Sequence, residues 1–502
     1  MSDLIIEKVD TVNIKVRCER GIAKELSDFF TFKVPGYKFM PQYKNKMWDG
    51  TIKLYNVYGQ TIYAGLLNYI YKFAEDRSYN IQIIKPEEFQ NQNSITTEET
   101  RKYVDIELQP IASDEMIVSH DHQVNAITHA INNDRCLLLS PTASGKSLII
   151  YSLIRYYMKK IPKDKKILII VPTTSLVSQM YSDFAEYSQI DHTFDVEKDT
   201  HIVFAGRDKT CKSCKVVIST WQSIYKLPKE YFDQYGAVFG DECHLFKSKS
   251  LTTLMTKLTD CPYRVGTTGT LDGTQTHKLV IEGLFGPVYD VVTTKELMDK
   301  ELLSQLEIDT IVLKYEDEEK KEVKRAKYQD EMKWLITNKK RNNFITDMAS
   351  NLKGNTLILF QFVDEHGKVL YSMLKDKVHS NRKVFFVYGG TNVEVREEIR
   401  HIVEKNDDAI IVASYGTFST GISIRKLNNI IFASPSKSRI RVLQSIGRQL
   451  RKSKNKGIAK LYDIGDDLSW KSYKNHTLRH FSERIKIYKS EKFNYNPVVV
   501  RL

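Results

Sequence analysis

The octapeptide Ser140-Pro-Thr-Ala-Ser-Gly-Lys-Ser147 follows a short apolar run, Cys136 to Leu139, and precedes a helix-prone one, Leu148 to Lys159. A bound phosphate chain needs wrapping backbone N–H groups, a residue without Cβ where the backbone comes close, a lysine for the terminal phosphates and a hydroxyl for Mg2+. Thr142, Ala143 and Ser144 can form the wrap, and Gly145, Lys146 and Ser147 supply the other three. Ser140 occupies the place of the first glycine in the general pattern, so the match fails there by one position. ATP with Mg2+ is the expected ligand.

A phosphate loop of this kind requires a carboxylate for the metal and a base for water, both at the end of a neighbouring strand. Ala237-Val-Phe-Gly-Asp-Glu-Cys-His244 is an apolar run ending in two adjacent acids. Asp241 is the candidate metal ligand with Ser147, and Glu242 the candidate base that orients and deprotonates the attacking water. Farther along, Arg448 and Arg451 stand three apart, a spacing that lets both reach one anion from one helix face.

The elements around these residues follow an α/β pattern. Short β-rich runs at Cys136 to Leu139, Ile167 to Val171, Val216 to Ser219 and Ala237 to Phe239 alternate with helical stretches. The alternation resumes with Leu357 to Phe360, Val384 to Val387, Ala409 to Ala413 and Ile430 to Ala433. Such alternation predicts two tandem, doubly wound parallel-sheet cores. The first hundred residues read as a small α/β unit: strand-like Thr11 to Cys18, helical Ile22 to Phe30, strand-like Gly50 to Tyr58, helical Tyr63 to Arg77 and strand-like Ile81 to Ile84. The expected domains are 1–100, 101–290, 291–468 and a basic helical tail, 469–502.

The chain of 502 residues has 75 Lys plus Arg against 62 Asp plus Glu, an excess of +13 that favours a polyanionic partner. Thr31 to Gln60 holds five lysines, Lys38, Lys44 and Lys46 among them, with seven aromatics and one acid, Asp49. Ser436 to Lys456 has eight basic residues and no acid, and Lys471 to Leu502 has eight against Glu483 and Glu491. Three basic zones predict an extended nucleic-acid path, although any single ring in the first zone equally suits strand packing. No apolar stretch approaches the 18 or so residues of a membrane span, and the first ten residues carry no export signal, so a reducing cytoplasm is expected. Of six cysteines only Cys211 and Cys214 stand at metal-ligand spacing, and one such pair cannot close a tetrahedral site.

Taken in order, Pro141-Thr142 with Gly145-Lys146-Ser147, Asp241-Glu242-Cys243-His244, Thr268-Gly269-Thr270 and Gln444-Ser-Ile-Gly-Arg-Gln-Leu-Arg451 resemble motifs I, II, III and VI of the superfamily 2 helicases. Val171-Pro-Thr-Thr174 is similar to motif Ia, Ser219-Thr-Trp-Gln222 to motif Ib, and Val412 to Gly421 to motif V. Within the superfamily the runs Pro172 to Met180 and Ala413 to Ser423, with the first domain's Trp48-Asp49-Gly50, resemble the recombination helicases of tailed bacteriophages.

The resemblance implies two RecA-like cores with ATP between them and Arg448 and Arg451 as arginine fingers. It implies that Gln123 reads adenine, that Gly421 of motif V lies at the nucleotide, and that His244, Thr268, Thr270 and Gln444 couple hydrolysis to movement. Thr173, Thr174, Ser219, Thr220 and Thr420 would meet DNA phosphates, contacts that carry little base information. The implied activity is ATP-dependent unwinding or branch migration of forks, junctions, displacement loops or RNA–DNA hybrids in recombination, repair and replication. A monomer in the cytoplasm of an infected bacterium is implied as well. An RNA helicase, or a binding or annealing protein for which ATP is only a switch, are the alternatives.

Overall fold

The computed structural model describes residues 2–91, 93–246, 248–271, 274–379, 381–421, 424, 426–436, 438–450 and 458–502. The chain forms two compact units, Met1–Ser140 with Ser144–Val292, and Pro141–Ala143 with Thr293–Leu502.

The first unit opens with a mixed four-stranded sheet in the order Thr61–Tyr63, Asn13–Cys18, Leu4–Lys8, Ile81–Ile83. Strand Asn13–Cys18 alternates, Ile14 and Val16 buried against Lys15 and Arg17 outward, as expected for a sheet with one covered face. Helices Arg20–Phe29 and Leu67–Glu75 cover that face through Leu26, Ile70 and Phe73. The strand expected over Gly50 to Tyr58 is shorter. Thr51–Lys53 pairs with Thr31–Lys33, and beyond it Asn56 makes an isolated bridge to Thr61, because Asn56 Oδ1 accepts the amides of Tyr58 and Gly59 (3.1 Å each) and turns the chain. Leu4–Lys8, absent from the sequence reading, is the strand on which the sheet is built.

This small domain is fused to the core that follows. Leu279, from helix Gln275–Leu284, is buried within the small domain's own apolar cluster. A Cβ on Gly65 would lie 2.0 Å from the Glu282 carbonyl oxygen, so only glycine permits this approach. The Tyr69 hydroxyl donates to the Glu282 carboxylate (2.7 Å). Thr11 completes the seam, donating from its amide to Thr259 O and accepting from the amide of Cys261 and from Arg264.

The core of the first unit is a seven-stranded, all-parallel sheet in the order Thr200–Val203, Val216–Thr220, Lys166–Val171, Tyr235–Asp241, Tyr263–Thr268, Arg135–Leu139, Val288–Asp290. Its strands are apolar on both faces because both are covered. Ile167, Ile169 and Phe239 pack with Leu153 and Ile154 of helix Lys146–Tyr157, whereas Leu168, Ile170 and Val238 pack with Leu254, Ile281 and Leu284.

The second unit repeats the plan with Lys383–Val387, Ala409–Ser414, Thr356–Phe360, Asn429–Phe432, Ala459–Asp467, Leu306–Lys314 and Tyr495–Arg501, again all parallel. The tandem parallel-sheet architecture expected from the alternation is therefore present.

The segment expected as a helical tail has a different role. It carries helix His476–Ser490, but also strand Tyr495–Arg501, which joins the second sheet at its edge. Pro497 is tolerated there because an edge strand leaves one side without a partner. Glu331 receives the amides of His476 and Thr477 (2.9 and 2.7 Å), so a carboxylate from another helix caps the N-terminus. Buried Arg484 donates through Nε to both Asp463 oxygens (2.9 Å each), and the Tyr488 hydroxyl donates to the same carboxylate (2.7 Å).

Arg484→Leu should leave the Asp463 carboxylate buried without its cation, at a cost of about 3–5 kcal/mol. Urea unfolding of the full chain should show a transition shifted to lower concentration, whereas a detachable tail would leave every transition in place.

Candidate active site

Register brings the motif residues to one edge of the first sheet. Asp241 lies opposite Thr267 and Thr268 opposite Leu139, so three adjacent strands end at one level. The Ser140 amide, first residue past the strand, donates to Thr268 O (2.8 Å). Val171 is level with Thr220, so the motif Ia and Ib segments leave from the same edge. Ligands of open α/β sheets bind at this carboxyl edge.

Between strand and helix the phosphate loop is tightly held. Gly145 adopts φ +85°, and a Cβ there would stand 2.1 Å from Gln123 Nε2. Ala143 shares the left-handed region at φ 67°. The Ser144 carbonyl accepts from His122 Nε2 (2.9 Å) and Gln123 Nε2 (3.1 Å), which assigns the His122 proton to Nε2. Ser140 and Ser144 hydroxyls meet at 2.5 Å across the loop. Gln123 is thus engaged inside the protein at both ends of its amide, since its oxygen accepts the His120 amide (2.9 Å). In this structure the amide from which adenine reading was expected braces the phosphate loop.

Lys146 begins helix Lys146–Tyr157, donates to the Ser140 carbonyl (3.3 Å) and stands 3.9 Å from Glu242 Oε1. Its ammonium is thereby folded back across the loop mouth.

The two acids differ sharply. Asp241 is buried at the strand end, where burial first and Glu242 second push its carboxyl above the usual carboxylate range, with Lys146 opposing. The Thr267 hydroxyl donates to it (2.9 Å). Thr267 went unremarked in the sequence because Thr268 and Thr270 carry the motif; its signal was the period-two position that faces Asp241 across the strand pair. Glu242 sits at φ 51°, a conformation costly for a residue with a Cβ and held only where neighbours over-determine it.

His244 links this pair to the next strand. Its Nδ1 lies 3.0 Å from Thr268 Oγ1 and 3.3 Å from Glu242 Oε2. Thr268 Oγ1 donates to the Thr270 carbonyl (3.1 Å), so its lone pair receives the His244 Nδ1 proton. Glu242, His244, Thr268 and Thr270 therefore form one continuous chain of contacts.

A buried and a half-buried carboxylate with one lysine nearby leave the site short of positive charge, and Asp241 with Ser147 offers the hard oxygen donors that Mg2+ takes. The residues present fit that ion. Cys211 and Cys214 lie in a loop where the Cys214 amide donates to Cys211 Sγ (3.3 Å). Among the described residues no group of three His, Cys, Asp or Glu is placed to hold a metal by itself.

The expected DNA contacts divide. Thr173 caps helix Thr174–Tyr187, its hydroxyl accepting the Leu176 amide (3.4 Å), and Thr174 is exposed. The Ser219 side chain is wholly buried in its strand, and its hydroxyl donates to the Thr220 carbonyl (3.0 Å). Thr220 is likewise buried, its hydroxyl paired with that of Ser223 (2.9 Å). Neither side chain is presented to a phosphate, because both lie within the fully covered strand Val216–Thr220. Lys38, Lys44 and Lys46 are exposed.

In the second unit, Gly421 closes helix Tyr415–Gly421, and Gln444 is half-buried on helix Arg439–Gln449. Arg451 lies outside the described residues, as do the side chains of Thr420 and Arg448.

A parallel-sheet core with a phosphate loop, a strand-end acid pair and a histidine relay, followed by a second core of the same plan, defines a superfamily 2 helicase. Matching families agree: the type III restriction enzyme res subunit over residues 116–273, the helicase conserved C-terminal domain over 339–453, and the DNA helicase UvsW N-terminal domain over 3–84. The ATP-dependent DNA helicase UvsW of Enterobacteria phage T4 is 34% identical, with all of both chains covered. The crystal structure of T4 UvsW aligns over 99% of each chain with a TM-score of 0.53 and 33% identity. A fragment of a putative HsdR subunit of a type I restriction enzyme from Vibrio vulnificus shares the fold, at TM-score 0.57 and 16% identity over 79% of this chain and 71% of that one. The chain belongs to the UvsW family of DNA helicases.

Thr267→Val removes a hydrogen bond to a charged group, an interaction worth about 1.5–3 kcal/mol. ATP turnover should fall about tenfold or more with the circular dichroism unchanged; unaltered turnover would show that Asp241 needs no such support.

Proposed function

We propose that the chain uses ATP hydrolysis to unwind or branch-migrate branched DNA, acting as a monomer, with residues 1–100 engaging the branch and the cores 101–290 and 291–468 stepping along a strand. The observation that carries this reading is the meeting of Lys146, Asp241, Glu242 and the His244–Thr268 contact at one sheet edge. A bacterial cytoplasm suits it, and among the described residues no helix is long and apolar enough to cross a membrane.

In the proposed cycle the backbone from Thr142 to Ser147 wraps the phosphates, and Lys146 leaves Glu242 to neutralise their terminal oxygens. Glu242, freed of that ion pair, accepts a proton from water as its oxygen bonds to the γ-phosphorus and the bond to the β-bridging oxygen breaks. ADP and phosphate result. Ser147 and Asp241 would hold Mg2+, which when bound would supply charge neutralisation. Arg448 and Arg451 are assigned the charge that develops on the transferred group. Release of Glu242 alters its contact with His244, and Thr268 and Thr270 carry that change into the neighbouring strand.

The test is steady-state ATPase with no nucleic acid, single-stranded DNA, duplex, a four-way junction and single-stranded RNA. Junction or single-stranded DNA should stimulate; Glu242→Gln should retain nucleotide binding while turnover falls about 10²–10⁴-fold, and Lys146→Ala should lose both. Stimulation by RNA alone would make this an RNA motor, and no turnover with any partner would make ATP a switch.

A further inference from the structure

The small domain carries a feature that phosphate binding does not explain. Among the described residues the three most exposed large apolar side chains are Tyr58 (102%), Phe39 (80%) and Met47 (79%), all within one stretch of the first basic zone. Isolated exposed apolar residues are ordinary, but three of this size in one short segment mark a contact surface.

Phe39 and Met47 stand on a compact knuckle, a 3-10 turn Tyr37–Phe39 followed by helix Pro41–Lys44. Backbone bonds hold it at every step: Phe39 N to Gly36 O (2.9 Å), Lys44 N to Met40 O (3.0 Å), Met47 N to Gln42 O (2.9 Å). Tyr37 and Tyr43 pack edge to face at 4.7 Å beneath it, and Trp48 Nε1 donates to Thr51 O (2.8 Å). Ordered backbone therefore projects Phe39 and Met47 outward.

The charge around them selects the partner. Lys38, Lys44 and Lys46 are exposed and form no ion pair with any described residue. Asp49 is occupied locally, accepting the amide and hydroxyl of Thr51 (2.9 and 2.6 Å). Projecting apolar side chains interleaved along the chain with lysines outside any ion pair complement a polyanion with an apolar interior, which describes a nucleic-acid duplex opened at a base step.

We propose that Phe39 and Met47 form an apolar wedge that enters the base stack at the branch point while Lys38, Lys44 and Lys46 hold the flanking phosphates. The proposal rests on the branched-DNA reading above. The seam at Thr11, Gly65 and Tyr69 makes the wedge move with the first core, so hydrolysis-driven motion of that core drives the wedge against the junction.

A four-way junction with 2-aminopurine beside the branch point, and a second with it mid-arm, tests this on the full chain. Wild-type protein should raise fluorescence at the branch and leave the arm unchanged. Phe39→Ala with Met47→Ala should abolish the rise and slow junction unwinding at least tenfold, with ATPase on single-stranded DNA within twofold of wild type. Lys38→Ala with Lys44→Ala and Lys46→Ala should weaken junction binding and flatten its salt dependence, yet keep the fluorescence rise at saturation. An unchanged rise in the Phe39/Met47 variant overturns the wedge while leaving the motor intact. So does wild-type binding to phosphatidylglycerol vesicles, or self-association on sedimentation, that the same variant loses without change on the junction. Wild-type protein that neither binds the junction nor unwinds it removes the branched-DNA reading and the wedge together.

Discussion

In-register parallel pairing of three strands is the constraint on which the first unit's chemistry depends. Asp241 opposite Thr267, and Thr268 opposite Leu139, place the acid pair, the relay and the phosphate loop at one height. A slip of one residue would turn Asp241 to the other face and carry it away from both Thr267 and Lys146. Continuous apolar burial on both sides of the sheet prevents the slip, since every shifted side chain would meet the wrong layer. The left-handed backbone at Ala143, Gly145 and Glu242 is tolerated on this frame, and all three lie where the loop or the base must be aimed.

The two ends of the chain are integrated by different physics. At the N-terminal seam Arg264 is buried and Arg135 half-buried among carbonyl oxygens: Arg264 donates to Cys261 O (3.1 Å) and Leu284 O (3.3 Å), Arg135 to Phe285 O (3.1 Å) and Thr11 O (3.2 Å). Burial, and the charge of Arg264, push the Arg135 guanidinium down to about 9. At the C-terminal end the buried arginines instead meet carboxylates, Arg341 on Asp466 (2.8 Å) and Arg484 on Asp463. The Arg484 Nη1 also donates to Ser436 O (2.8 Å), and Arg439 pairs with Glu491 (2.5 Å), so the last helix braces the start of helix Arg439–Gln449.

What could be read from sequence followed from locality. The phosphate loop and the strand-end acids are short, contiguous and demanded by chemistry, so Gly145, Lys146, Asp241 and Glu242 were legible, as was the alternation that builds two cores. Side chains whose role depends on a neighbour distant in the chain were not. Ser219 and Thr220 looked available for phosphates, but their hydroxyls in a fully covered strand are engaged by the Thr220 carbonyl and by Ser223 of the following helix. The segment 469–502 read as a basic helical tail because Arg484 is indistinguishable from a surface arginine until Asp463 is placed against it. Thr267 differs from Thr268 only in which way the pleat turns it. The knuckle's lysines and rings were visible as a zone, yet which rings pack and which project depended on local folding: Tyr55 is buried while Phe39 is not.

Strand order in the second sheet also governs how the molecule is made. Strand Leu306–Lys314 pairs only with Ala459–Asp467 and Tyr495–Arg501, both far later in the sequence. As the polypeptide leaves the ribosome, the first sheet is complete by Asp290, whereas this strand waits for roughly 150 more residues, on the order of ten seconds at ordinary synthesis rates. For that interval it exposes two open edges and the apolar residues Ile308, Ile311 and Leu313, the condition under which nascent chains aggregate. The first unit can therefore finish as a folded body while its successor is still an open sheet, and the burden on chaperones falls on the second half of each new molecule.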